Sequence, residues 1–235
     1  FRWRNCYRIS IYTSLQTQNK IFLGDTLPSL KLLDVHTTIG CNLSCKGCNH
    51  FSNYFAPSSK LDTDALLRDI EVILPRLDLG RVNVIGGEPL LNPRCEEIVN
   101  TCISSTKSLV YLYTNGLLLH KNEDWIRKAL ENPRVFLRIS IHLKEVEDII
   151  KKFNHPKVLV TVHHTGQDRW FNSIKKRDNK VYPYNHNSIA RSYNACSCPN
   201  PQLYNGKLWK CPNTAYLREL LSVTEQEDAD EWQEY

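Results

Sequence analysis

Residues 37–51 read TTIGCNLSCKGCNHF and place Cys41, Cys45 and Cys48 in a C-x3-C-x2-C pattern. The residues just before, Leu32, Leu33, Asp34, Val35 and His36, have the largely apolar character of a buried strand, so the three thiols sit on the loop that leaves it. Three thiolates on one short loop can hold three irons of a [4Fe-4S] cube and leave the fourth iron without a protein ligand. The same thiols together with His50 suit a tetrahedral Cys3His zinc site equally well. The cysteines alone do not choose between the two.

The choice comes from a second stretch. A helical pattern beginning near Asp62 is followed by Arg81, Val82, Asn83, Val84 and Ile85, another buried-strand pattern, and then by residues 86–93, GGEPLLNP. Glycines at a strand end let the backbone come close to a ligand without a Cβ in the way. A zinc knuckle has no use for such a strand end about 40 residues further on. The joint motif resembles the radical S-adenosylmethionine (SAM) superfamily, in its three-cysteine loop and its GGEP strand end.

The resemblance implies an enzyme whose open iron chelates the amino and carboxylate groups of SAM. A reduced cluster then cleaves SAM to methionine and a 5'-deoxyadenosyl radical, which abstracts hydrogen from substrate. It implies that Glu88, with Gly86, Gly87 and Pro89, binds the methionine end of SAM. The superfamily carries an aromatic residue just before the third cysteine, where this chain has Gly47, so the adenine contact is assigned to Phe51 or Tyr54. The implied fold is α/β, a partial (β/α)6 TIM-like barrel, and the implied reductant is a flavodoxin- or ferredoxin-type donor.

Composition is compatible with this. At 235 residues and 41% hydrophobic, the chain is long enough to bury a substantial core as one domain with a small appendage. No apolar run approaches the length of a membrane span and no secretory leader pattern opens the chain, so a cytoplasmic location is expected. The nine cysteines are then metal ligands and core thiols rather than a disulfide framework. A net charge of +5 suits an anionic substrate without demanding a nucleic-acid partner.

Three segments are expected. Residues 1–30 form an N-terminal extension, in which interleaved arginines and aromatics (Arg2, Trp3, Arg4, Tyr7) suggest nucleic-acid contact less strongly than packing on the outside of the barrel. Residues 31–190 form the barrel, with apolar helical faces such as Leu66, Ile70 and Ile73 alternating with strands over 109–113, 135–141 and 157–162. Asn92 and Pro93 announce a helix on which Cys95 and Cys102 face the core. In such folds ligands bind at the C-terminal strand ends, which nominates Thr114 and Asn115, Ser140 and His142, and His163 and His164. By resemblance, Ser140 contacts the SAM ribose or carboxylate. Residues 165–194 read as a lid or substrate loop.

Residues 191–235 form a cysteine-containing extension. Cys196, Gly206 and Cys211 are spaced like the start of a SPASM or Twitch extension, which implies that Cys196, Cys198 and Cys211 serve an auxiliary iron-sulfur cluster. A zinc site or a redox-active thiol are the competing readings. Asn205-Gly206 between two strand-like runs predicts a hairpin, and the acidic tail from Glu219 predicts a solvated terminal helix. The expected substrate is a small molecule or a nucleotide. A peptide-modifying maturase is the enzyme alternative, and a zinc-stabilised nucleic-acid-binding module is the alternative from another class.

Overall fold

A computed structural model describes residues 27–59, 61–162, 174–183 and 200–232. Its centre is a seven-stranded sheet in an α/β arrangement. The strands Leu33–His36 (β2), Arg81–Ile85 (β4), Leu109–Thr114 (β5), Val135–Ile141 (β6) and Val158–Val162 (β7) lie side by side in chain order and all run parallel. The helices Thr63–Ile73 (α1), Cys95–Ser105 (α2), Glu123–Glu131 (α3) and Glu145–Phe153 (α4) fill the four crossovers between them. The short strands Ser29–Leu30 (β1) and Asp78–Leu79 (β3) pair with each other beside this sheet.

Each element follows from local chemistry. Asp62 caps α1 by accepting the Ala65 N–H at 3.0 Å, and Leu66, Ile70 and Ile73 bury one face of that helix. Pro75 ends it in a single 3-10 turn, Leu74–Arg76. On β6 the residues alternate strictly between buried and half-buried, which is the mark of a strand with two different faces. Leu137 and Ile139 on the buried face join Cys95, Cys102, Leu33 and Val84 in one core under the helices, as expected for the two cysteines. α2 begins later than the Asn92-Pro93 signal suggests. Asn92 is committed elsewhere, accepting the Arg94 N–H at 2.9 Å and donating to the Thr37 carbonyl at 2.8 Å.

The C-terminal segment adds to the same sheet. Gln202–Tyr204 (β10) and Lys207–Trp209 (β11) form the hairpin expected around Asn205-Gly206, both with positive φ (48° and 67°). β10 then pairs in parallel with β2, so the sheet order is β11-β10-β2-β4-β5-β6-β7. The tail departs from the solvated helix expected of it. A helix over Pro212–Val223 (α5) buries Tyr216 and Leu220 completely and is followed by buried Gln226 and Trp232. The acidic residues misled because the apolar stripe of α5 starts before them, and it packs with Ile39, Phe51 and Val181 in a second core. Within the 165–194 stretch, the described residues form a small antiparallel hairpin, Lys175–Arg177 (β8) with Lys180–Tyr182 (β9). The N-terminal residues 1–26, His163, His164, Cys196 and Cys198 lie outside the described residues.

Candidate functional site

The loop with the three cysteines is held at its root by the end of β4. Thr37 N–H donates to the Ile85 carbonyl at 2.8 Å, Gly87 N–H to the Thr38 carbonyl at 2.8 Å and Glu88 N–H to the Gly40 carbonyl at 3.0 Å. The fit is tight enough to require glycine. A Cβ on Gly87 would stand 2.1 Å from the Gly40 carbonyl oxygen, and one on Gly86 2.6 Å from that of Thr38. Sequence reasoning placed these glycines against a ligand, whereas the close approach found is to the backbone that leads into Cys41.

Glu88 carries the joint further. Its Oε1 accepts from Leu90 N at 3.1 Å and from Thr114 Oγ1 at 2.7 Å, and its Oε2 accepts from Asn115 N at 2.8 Å. The carboxylate thus ties the end of β4 to the end of β5. Burial pushes its pKa up to about 7, against the lowering effect of those three hydrogen bonds. Oε2 has one protein donor and keeps acceptor capacity for another. Asn115 extends the tie to the cysteine loop: its Nδ2 donates to Asn42 Oδ1 at 2.7 Å and lies 3.9 Å from Cys41 Sγ.

Cys41, Cys45 and Cys48 line one cavity of about 120 Å³. Gly86, Gly87, Glu88 and Pro89 share its wall, as do Asn115, Ser140 and His142. The structure therefore brings the sequence-predicted residues of four separate elements to one place. Tyr113 also lines the cavity and was missed from sequence. Strand alternation from Asn115 back along β5 was the available signal. A larger open depression, about 580 Å³ on the outer side of α2, holds none of these residues.

The donor set fits a [4Fe-4S] cube held through three thiolates. Among the described residues no other cysteine is on the cavity wall, so three thiolates would leave one iron with an open position. Burial pushes the Cys41 thiol up to about 12, and the nearby Glu88, Cys48 and Cys45 charges raise it further against the lowering bond from Leu43 N. A coordinating metal deprotonates such a thiol outright. Among the described residues, no three His, Cys, Asp or Glu side chains converge tightly enough to hold a single metal ion. His50, the fourth ligand of the zinc alternative, lines the same cavity, with its ring tilted against His36 at 4.9 Å and edge-on to Tyr216 at 6.2 Å. Burial lowers its pKa to about 4.

One expectation changes. Phe51 is not on the cavity wall: with a left-handed φ of 57° its ring turns into the second core, beside Tyr216 and Val181. An adenine contact from Phe51 does not match that placement, and Tyr54 packs against the same core with Lys176 over its ring at 5.2 Å. Cys211, the described member of the C-terminal cysteine set, is half-buried at the N-terminus of α5, in a capping box with Thr214.

A family model described as the Radical SAM superfamily matches residues 35–175. The chain is 32% identical over 104 residues to a GTP 3',8-cyclase of Aquifex aeolicus (43% of this chain, 32% of that protein). It is 30% identical over 118 residues to a GTP 3',8-cyclase of Mycolicibacterium smegmatis (49% of this chain, 31% of that protein). The match thus spans about a third of the length of either relative. A solved structure of BtrN in complex with AdoMet and 2-DOIA superposes with a TM-score of 0.53 at 16% identity, covering 87% of this chain and 82% of that one, a likeness of fold. Among the described residues no helix is long and apolar enough to cross a membrane.

Proposed function

The chain belongs to the radical SAM superfamily of iron-sulfur enzymes, and from that premise we propose that it uses SAM to abstract hydrogen from a small-molecule or nucleotide substrate seated at the cavity. A reduced [4Fe-4S] cluster, when bound, supplies the electron that splits SAM into methionine and the 5'-deoxyadenosyl radical. Cys41, Cys45 and Cys48 hold three of its irons. The observation that carries the proposal is that these thiols share one cavity with the Gly86-Gly87-Glu88 strand end, which is hydrogen-bonded to the root of their loop.

In this reading Gly86, Gly87 and Pro89 shape the methionine subsite, and Glu88 offers the spare acceptor position of Oε2 to the ammonium group. Asn115 fixes the cysteine loop, and Ser140 contacts the SAM ribose or carboxylate. The parallel strands form a partial (β/α)6 barrel over residues 31–190, supported by their chain-order arrangement. Residues 1–30 are an extension, and 191–235 a second one in which Cys196, Cys198 and Cys211 bind an auxiliary cluster; the support for that cluster is their spacing. The likeness to cyclases of GTP supports a nucleotide or other small molecule over a peptide. The electron comes from a flavodoxin- or ferredoxin-type donor.

The test is anaerobic reconstitution followed by iron, sulfide and zinc counts and an assay for 5'-deoxyadenosine with SAM and dithionite. About four irons with 5'-deoxyadenosine support the catalytic cluster, and about eight add the auxiliary one. Bound zinc without iron and without SAM cleavage refutes the proposal.

A further inference from the structure

The face of the sheet that carries the site is polar, and one cation on it has no ion-pair partner among the described residues. By strand alternation Arg138 lies on the side of Ser140, two residues further along β6, and opposite Leu137 and Ile139, which are fully buried under the helices. Its guanidinium sits over Tyr113, 5.5 Å from the ring centroid, and Tyr113 is on the cavity wall. Its hydrogen bond to Thr161 Oγ1 on β7 is long, at 3.4 Å. A guanidinium carries five N–H donors, so most of those of Arg138 are uncommitted.

Four other described arginines are engaged. Arg94 pairs with Asp64 and Glu97, and Arg127 with Glu123. Arg134 donates to the carbonyls of Ile103, Thr106 and Ser108. Arg81, on the same polar face and 5.3 Å from the Tyr111 centroid, has the Asp34 carboxylate as a neighbouring charge. Among the described residues no ion pair involves Arg138. Half-burying a cation costs solvation that proteins ordinarily recover by pairing it. A planar fork held on an aromatic ring beside a cavity is also pre-organised for bidentate binding of an oxyanion.

We infer that Arg138 is an anion anchor, whose guanidinium, held over Tyr113, binds a carboxylate or phosphate group of a molecule seated in the cavity. The inference rests on the radical SAM reading of that cavity. Two molecules present such a group there: SAM through its carboxylate, and the substrate through an anionic group of its own.

Equilibrium dialysis of labelled SAM and calorimetric titration of inorganic pyrophosphate, each against the reconstituted holoprotein, compare wild type with Arg138→Gln and Arg138→Lys. The Gln variant loses at least about tenfold in affinity for its ligand, as expected for a charge-assisted hydrogen bond, and the Lys variant loses less. Weaker pyrophosphate binding with unchanged SAM binding assigns the anchor to the substrate. Weaker SAM binding, with pyrophosphate competing against SAM in wild type, assigns it to the SAM carboxylate. Unchanged affinity for both overturns the inference. Should the Gln variant not fold, phenylglyoxal labelling of wild type decides: pyrophosphate or SAM protects Arg138, and equal labelling with and without both overturns the inference. 5'-Deoxyadenosine formation by the same wild-type preparation tests the radical SAM reading separately, so the two failures are distinct.

Discussion

The two faces of the central sheet are built from neighbouring residues of the same strands. Toward the helices stand Leu33, Val35, Val82, Val84, Val110, Leu112, Leu137 and Ile139, none more than 2% exposed. Between them in sequence, and therefore on the other side, stand Asp34, His36, Asn83, Tyr111, Tyr113, Arg138 and Ser140. A register slip of one residue would exchange the sets and place charge under the helices. The apolar set thus fixes which side carries the chemistry, and substitutions on the two faces should fail in different ways.

The sharpest break is at the cysteine loop, which belongs to the chemical side alone. Cys45→Ala should abolish SAM cleavage, because a cube held through two thiolates loses its third anchor. The apo fold should change by no more than about 1 kcal/mol, since Cys45 is a half-buried loop residue outside both cores. Retained 5'-deoxyadenosine production in the purified variant would remove Cys45 from the ligand set. The adjacent pair Ile139 and Ser140 then tests the division of faces within one strand. Ile139→Ala opens a cavity in the helix-side core and should cost about 2–5 kcal/mol in urea unfolding. Ser140→Ala should cost less than about 1 kcal/mol and weaken SAM or substrate binding instead. Equal destabilisation by the two would end the comparison.

Glu88 sharpens it in another way, being a carboxylate on the chemical side that is only 1% exposed. Burial raises its pKa from 4.5 to about 7. Between those values the folded apo chain holds a proton that the unfolded chain releases, so Glu88 favours folding at low pH and that contribution is lost as pH rises through about 7. The amount at stake is on the order of 3 kcal/mol. Glu88→Gln cannot ionise, so its unfolding midpoint should fall less steeply between about pH 5 and about pH 8 than that of wild type. Parallel curves for the two proteins would show that the carboxylate pays no such cost.

Much of this division was readable before any coordinates. The run 135–141 has the length of the strand found, and the run 109–113 ends one residue short of Leu109–Thr114. The cysteine loop, the glycine pair, Glu88, Asn115 and Ser140 were nominated by motif and strand-end position, and they meet in one cavity. What stayed hidden depends on contacts between distant parts of the chain. Gln202 donates to Asp34 across 168 positions and hydrogen-bonds His36 across 166, and no local period reports such a pairing. Tyr216 packs on His36 and His50 for the same kind of reason. Phe51 has a left-handed backbone and packs in the second core, a placement no local period announces. The two glycines were read as a close approach to a ligand, and they also meet the backbone of residues 38–40, a contact no local pattern announces.

Gly87 stands where the two faces join, and its substitution should have a modest effect on stability with the most diagnostic value. In Gly87→Ala the new Cβ meets Gly40 O at 2.1 Å, Gly40 C at 2.5 Å and Ile39 O at 2.8 Å, all of them backbone atoms that cannot rotate aside. The end of β4 must move away from residues 39–40, weakening the bonds from Gly87 N to Thr38 O and from Glu88 N to Gly40 O. Overpacking of this kind costs about 1–3 kcal/mol. The joint is one residue from Cys41, so iron retained per chain after gel filtration should fall together with the unfolding midpoint. A variant that is less stable but keeps its full iron would show that the strand end only braces the fold. Iron lost at unchanged stability would show the reverse, that the glycines serve the cysteine loop without contributing to the core. Loss of both is the outcome expected of a joint that carries the load from the apolar face into the site.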